Sequence, residues 1–154
     1  MDDGAMIPDV AVTMPDGTVV ALTTLARPLV VYFYPKADTA GCTREAQDFS
    51  ALESAFAEIG VGVLGVSKDT PAAHAKFSTK HGLTVSLATD VDGTVCEGFG
   101  VWVEKAMYGR KYMGIERATF LFDADGRLAT SWRKVRVPGH AEVVLAAAKA
   151  LTPQ

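Results

Sequence analysis

The apolar run Leu29-Val-Val-Tyr-Phe-Tyr34 stops at Pro35, passes through Lys36-Ala-Asp-Thr-Ala-Gly41, and yields at Cys42 to a helical pattern. An unbroken apolar stretch suits a strand covered on both faces, because a half-exposed strand alternates with polar residues. From 40 to 59 the period changes: Ala46, Phe49, Leu52, Phe56 and Ile59 share one helical face, and Gly60 ends it. The segment therefore reads as buried strand, tight turn and helix. Cys42 falls in the first helical turn, four residues before Ala46, so its side chain points to the buried side. A helix start offers unpaired backbone N–H groups and about half a positive charge. Both favour a thiolate, the nucleophilic form of cysteine. Without such surroundings a lone cysteine is more simply an inert buried thiol.

The rest of the chain reads as one α/β domain over residues 1–154. Residues 10–14 and 18–21 flank Pro15-Asp-Gly17 as an N-terminal β-hairpin. Residues 61–66 predict a second central strand. Thr70-Pro71 opens a helix, with proline at its first position, that runs to His81-Gly82. Residues 85–87 predict a short strand, and 93–99 a short helix that carries Cys96. Residues 118–122 and 128–135 flank Asp125-Gly126 as a closing hairpin, and 139–151 form a last, alanine-rich helix. Strands alternating with helices predict a parallel centre; the closing hairpin predicts an antiparallel edge.

A net charge of −3 leaves no basic footprint for nucleic acid or an anionic membrane. No apolar run approaches the roughly 20 residues of a membrane span. Met1-Asp-Asp-Gly4 lacks the basic and apolar regions of a secretory leader. Two cysteines are too few for a disulfide scaffold, so a reducing cytoplasm with reactive thiols is the expected setting.

Pro35-x-x-x-Thr39-x-x-Cys42 resembles the peroxidatic motif of the peroxiredoxins. The wider segment, Tyr34-Pro-Lys-Ala-Asp-Thr-Ala-Gly-Cys-Thr-Arg-Glu45, is similar to their bacterioferritin comigratory, or Q-type, branch. A second block, Lys105-Ala-Met-Tyr-Gly-Arg-Lys-Tyr-Met-Gly-Ile-Glu-Arg-Ala-Thr-Phe120, is similar to the stretch that supplies that branch's active-site arginine. The resemblance runs from about Ile7 to about Leu151, nearly the whole chain. It implies a single-domain thioredoxin-like fold, with a central mixed sheet flanked by helices. It also implies a thiol peroxidase acting on hydrogen peroxide and organic hydroperoxides without metal, haem or flavin.

By the same resemblance Cys42 is the nucleophile, Thr39 holds the peroxide against the sulfur, Pro35 shields the thiolate and Arg117 stabilises it. Glu45 and Glu116 are both placed to orient Arg117, and either could instead be a solvated carboxylate. Q-type proteins often carry a resolving cysteine five residues after the first, and here that position is Gln47. Other members place it in the helix after the fourth core strand, where Cys96 lies. Cys96 is therefore expected to resolve the Cys42 sulfenic acid as an intramolecular disulfide, recycled by thioredoxin or a similar dithiol. Gly93, Gly98 and Gly100 are expected to weaken its helix enough for it to open. The alternative is a one-cysteine peroxidase in which Cys96 only fills space. A monomer is the default expectation.

Two other functions compete. A disulfide reductase wants Cys-x-x-Cys, but the residue three after Cys42 is Glu45. A non-catalytic binding module of the same fold would tolerate loss of Cys42. The remaining motifs have plainer readings. Gly60-x-Gly62-x-x-Gly65 follows a helix and lies inside a strand, the reverse of a dinucleotide fingerprint. Asp90-x-Asp92-Gly93 and Asp123-x-Asp125-Gly126 lack the full ligand series of a calcium loop and sit where turns belong. His74, His81 and His140 show no metal-ligand spacing. Arg133-Lys134-x-Arg136 reads as a charged edge strand.

Overall fold

The structure is a computed structural model that describes residues 1–151. Its elements are β1 (Ala11–Thr13), β2 (Val19–Ala21), β3 (Leu29–Phe33), α1 (Ala40–Glu58), β4 (Gly62–Ser67), α2 (Pro71–His81) and β5 (Ser86–Thr89). They continue with α3 (Thr94–Gly98), β6 (Trp102–Met107), β7 (Arg110–Ile115), β8 (Ala118–Phe122), β9 (Leu128–Trp132) and α4 (His140–Leu151). Seven strands form one mixed sheet in the order β2-β1-β5-β4-β3-β8-β9. Its centre is parallel: Val31 pairs with Leu64 and Gly65 with Leu87. β8 and β9 close it antiparallel on one side, and the N-terminal hairpin joins the other where Thr13 meets Thr89.

β3 and β8 are buried along their whole length, as an apolar central strand requires. Alternation assigns their side chains to two cores. Val30, Tyr32 and Leu121 pack with Phe49 and Phe56 of α1 and Val144 of α4. Val31, Phe33, Phe120 and Phe122 pack on the opposite face with Val95, Cys96 and Phe99. Thr70 caps α2 by accepting from the Ala73 N–H at 3.1 Å, with Pro71 in the first turn and Gly82 (φ 61°) past its end. No helix among the described residues is long and apolar enough to cross a membrane.

Three expectations need correction. The β6–β7 hairpin lies outside the main sheet and was not foreseen from its sequence. Most of its side chains are exposed, so no apolar alternation marks it. Its local sign is Tyr108-Gly109 between the paired Met107 and Arg110, both with positive φ (51° and 78°), as a tight twisted hairpin turn demands. β9 ends at Trp132, so Arg133-Lys134-x-Arg136 lies beyond the strand. Arg133 instead donates to Glu116 Oε2 at 2.5 Å and to the Gly100 carbonyl at 2.7 Å. Finally, of the three glycines expected to weaken α3, Gly98 is its last residue, whereas Gly93 and Gly100 flank it in left-handed conformations (φ 87° and 68°) and so shape its ends. Asp90 then pins its start, accepting from the N–H groups of Gly93, Val95 and Cys96 at 3.1, 3.2 and 2.9 Å.

Candidate active site

The turn between β3 and α1 delivers Pro35, Thr39 and Cys42 to the carboxyl end of the sheet. Cys42 is the third residue of α1 and is 2% exposed. Thr39 is the N-cap, but its hydroxyl does not cap the helix. It donates to the Lys36 carbonyl at 2.8 Å, which leaves its oxygen lone pairs available. The turn is tied to α2. Asp38, at φ 61°, takes hydrogen bonds from Lys80 Nζ (2.7 Å) and His81 Nε2 (2.8 Å), and the Ala37 N–H donates to Asp69 Oδ2 at 2.8 Å.

Arg117 sits between β7 and β8, 75 residues from Cys42 in sequence, and reaches the same point. Its Nη2 donates to Cys42 Sγ at 3.2 Å and its Nη1 to Glu45 Oε1 at 2.6 Å. A planar guanidinium can serve both partners at once. Gly41 makes room: a Cβ there would stand 3.3 Å from Nη2. Glu45, one turn along α1 from Cys42, is therefore the carboxylate that aims Arg117; Glu116 is engaged by Arg133. Burial pushes the Glu45 carboxyl up to about 7, with the Arg117 charge pulling the other way. The upward direction fits its second oxygen, Oε2, which is buried without a hydrogen-bond partner among the described residues. Burial works against the Arg117 charge, but the charges of Glu45 and Cys42 overcome it and raise its pKa.

His140, read as one of three scattered histidines, lies close to this group. It bonds Thr119 Oγ1 at 2.8 Å, and burial together with the Arg117 charge holds its pKa down at about 4. Only the fold could place it there, since His140 is 98 residues after Cys42. Among the described residues no cluster of histidine, cysteine, aspartate or glutamate could hold a metal ion. The Asp90 and Asp123 carboxylates serve their own turns.

Pro35 and Thr39 line one wall of a cleft of about 630 Å³. Its other wall is the β6–β7 hairpin, through Trp102, Lys105, Met107, Tyr112 and Met113. Lys68 Nζ lies 4.6 Å from the centre of the Trp102 ring. The sequence reading missed these hairpin residues as site components for the same reason it missed the hairpin. Cys96 is elsewhere: it is fully buried, on the far face of the sheet, and burial with the nearby Asp90 pushes its thiol pKa well up.

A family model described as the AhpC/TSA family matches residues 4–131. Peroxiredoxin Bcp of Xanthomonas campestris is 48% identical over 126 residues, which cover 82% of this chain and 79% of that protein. Peroxiredoxin Bcp of Bacillus subtilis is 44% identical over 138 residues, 89% of this chain and 88% of its own. A solved structure of the Xanthomonas campestris bacterioferritin comigratory protein, reported for its alkyl peroxide reduction activity, matches with a TM-score of 0.89 at 44% identity. That match covers 97% of this chain and 98% of the other.

Proposed function

Since the chain belongs to the AhpC/TSA family, as a thiol peroxidase of the Q-type peroxiredoxin branch, we propose that Cys42 is its peroxidatic residue and that Arg117, Thr39 and Pro35 complete the site. The observation that carries this reading is the 3.2 Å approach of Arg117 Nη2 to Cys42 Sγ. The Cys42 thiolate attacks the terminal peroxide oxygen. An S–O bond forms as the O–O bond breaks, and the electron pair leaves on the distal oxygen, which takes a proton to become water or an alcohol. Cys42 is left as a sulfenic acid. Arg117 and the helix-start N–H groups stabilise charge growing along the O–O bond. The Thr39 hydrogen is committed to Lys36, so its oxygen accepts the peroxide's hydroxyl hydrogen and holds it in line with the sulfur. Pro35, beside Thr39 on the cleft wall, shapes the turn and shields the thiolate from that side.

Hydrogen peroxide needs nothing more. An organic hydroperoxide would bury its alkyl part against Trp102, Met107, Tyr112 and Met113, and the apolar wall of the cleft supports that class as well.

For the return to thiol, the geometry supports the one-cysteine alternative best. Cys96 is buried on the other face of the sheet and its helix is pinned by Asp90, so the sulfenic acid is reduced by a thiol of another molecule, thioredoxin or a similar dithiol. A second reading keeps Cys96 as the resolving residue. It is favoured by the brevity of α3, five residues, and by there being two cysteines to pair. A reducing cytoplasm and a monomeric, membrane-free and nucleic-acid-free protein suit both readings. Peroxide consumption coupled to thioredoxin and its reductase tests the function. Activity that survives Cys42→Ser would sink it, and a non-catalytic module would show none in the wild type.

A further inference from the structure

Behind the active-site turn lies a buried polar group that the peroxidase reaction does not use: Ser67 and His74, both fully buried, with Thr89 and Asp69. Its hydrogen bonds constrain where its protons lie. Thr89 Oγ1 lies 2.6 Å from the Asp69 carbonyl, which can only accept, so the Thr89 hydrogen is spent there. His74 Nδ1, 3.0 Å from the same Oγ1, must then carry a hydrogen and donate it. Asp69 Oδ2 meets Ser67 Oγ at 2.6 Å and the Ala37 N–H at 2.8 Å. With Asp69 a carboxylate, Oδ2 can only accept, so the one Ser67 hydrogen points to it. His74 Nε2, 2.9 Å from Ser67 Oγ, therefore faces lone pairs and must be a donor too. Ser67 Oγ also takes the Asp69 N–H at 3.1 Å, which uses its second lone pair and leaves the nearby Tyr34 hydroxyl buried without a hydrogen-bond partner among the described residues.

We infer that His74 is a buried imidazolium and a positioning residue for the active-site turn, acting through Ser67 on the Asp69 carboxylate that holds Ala37. The inference rests on the reading of Cys42 only for its link to catalysis. Burial pulls the His74 pKa down, with the Asp69 charge opposing. A neutral ring fits the same distances only if Asp69 holds the proton and the bonds run from Asp69 to Ser67 to His74 Nε2; the Ala37 N–H on Asp69 Oδ2 favours the carboxylate, and with it the charged ring. Around the ring, the β3 side presents Tyr34, whose hydroxyl burial keeps protonated, at 6.0 Å between ring centres. The β4–α2 loop presents Asp69, and β5 presents Thr89. The Asp90 N–H also donates to the Ser67 carbonyl at 2.9 Å, so the same point of β4 braces the start of the Cys96 segment.

Nitrogen-15 NMR of the histidines in the reduced full-length protein near neutral pH tests the charge without any variant. His74 should show two protonated ring nitrogens; one protonated nitrogen overturns the proposal. Ser67→Ala removes the bridge with little change in volume. His74 should then drop to one ring proton, and the Ala37 amide should exchange about tenfold faster, as expected for a weakened charge-assisted hydrogen bond. The core amides of Val31 and Leu121 should keep their protection. Unchanged Ala37 exchange would overturn the positioning role. If Ser67→Ala does not fold, the wild type supplies the comparison: Ala37 protection should fall at the pH where His74 loses its second proton, beyond the ordinary base-catalysed rise, and a smooth course through that pH would overturn the role. Neither measurement depends on peroxide chemistry, so a protein that consumed no peroxide would defeat the Cys42 reading while leaving this one to stand or fall on its own.

Discussion

Cys42 and Cys96 pack on opposite faces of the central sheet. Cys42 lies with Val30, Tyr32 and Phe49, and Cys96 with Val31, Phe33 and Phe99. Neighbouring strand residues point to opposite faces, so a layer of backbone separates the two sulfurs. A disulfide needs Cα atoms within about 7 Å, and a change of side-chain rotamer cannot supply that here. A whole element would have to leave its core.

Cys96→Ala should therefore keep thioredoxin-supported turnover near the wild-type rate and lose about 1 kcal/mol of stability from the small void it leaves. Mass spectrometry of the wild type after one equivalent of peroxide should find Cys42 as sulfenic acid or as an adduct with an added thiol. A Cys42–Cys96 linkage, with turnover collapsing in Cys96→Ala, would establish the second reading.

Cys42→Ser should abolish peroxide reduction while leaving the fold intact, since the buried site is small and hydroxyl and thiol are close in shape. Single-turnover oxidation followed by tryptophan fluorescence is the measurement. Residual turnover at the wild-type rate would place the chemistry elsewhere.

Arg117→Ala should slow oxidation of Cys42 by about 10²-fold, the usual effect of removing one donor aimed at developing charge. Arg117→Lys should recover little of it, because a single ammonium cannot reach Glu45 Oε1 and Cys42 Sγ together. Stopped-flow kinetics with hydrogen peroxide would decide, and equal rates in all three proteins would remove Arg117 from the mechanism.

Glu45 should impose a pH dependence. Below about 7 it becomes neutral and no longer draws the guanidinium. The oxidation rate constant should fall as pH drops through that value, and Glu45→Gln should lose the inflection. Its folded pKa is raised above the unfolded one. The protonated form therefore contributes stability that is complete below about 4.5 and lost as pH rises through about 7. Glu45→Gln should accordingly gain stability relative to the wild type between mildly acidic and alkaline pH, measured by urea midpoints. A constant difference across that range would contradict the shift.

His140 should act with the opposite sign. Its folded pKa, about 4, lies below the ordinary value of 6.5 because burial and Arg117 disfavour the charged ring. Its contribution is present above 6.5 and is lost as pH falls through about 4. His140→Gln, which can still bond Thr119, should lose stability less steeply over that acid window than the wild type. Parallel acid unfolding curves would argue against it.

Much of this protein follows from short-range patterning. The buried strand before Pro35, the helix that carries Cys42 in its first turn, the Thr70-Pro71 helix start and the closing hairpin at Asp125-Gly126 are each written in a few adjacent residues. So is the Pro35–Thr39–Cys42 spacing, because one turn carries all three. Tertiary structure decided the rest. Glu45 rather than Glu116 meets Arg117, since the end of β7 points one neighbour inward and leaves the other beside Arg133. The β6–β7 hairpin forms the cleft wall, although its exposed side chains carry no burial period to read. Both cysteines lie near the start of a helix, and only Cys42 carries the Pro35–Thr39 spacing before it. The parity of the strand residues beneath them puts one beside a guanidinium and the other in an apolar core with its helix start pinned by Asp90. Local pattern sets which elements form; which atoms meet depends on strand order and sheet face, and those are set only when residues 75 positions apart are brought to 3.2 Å.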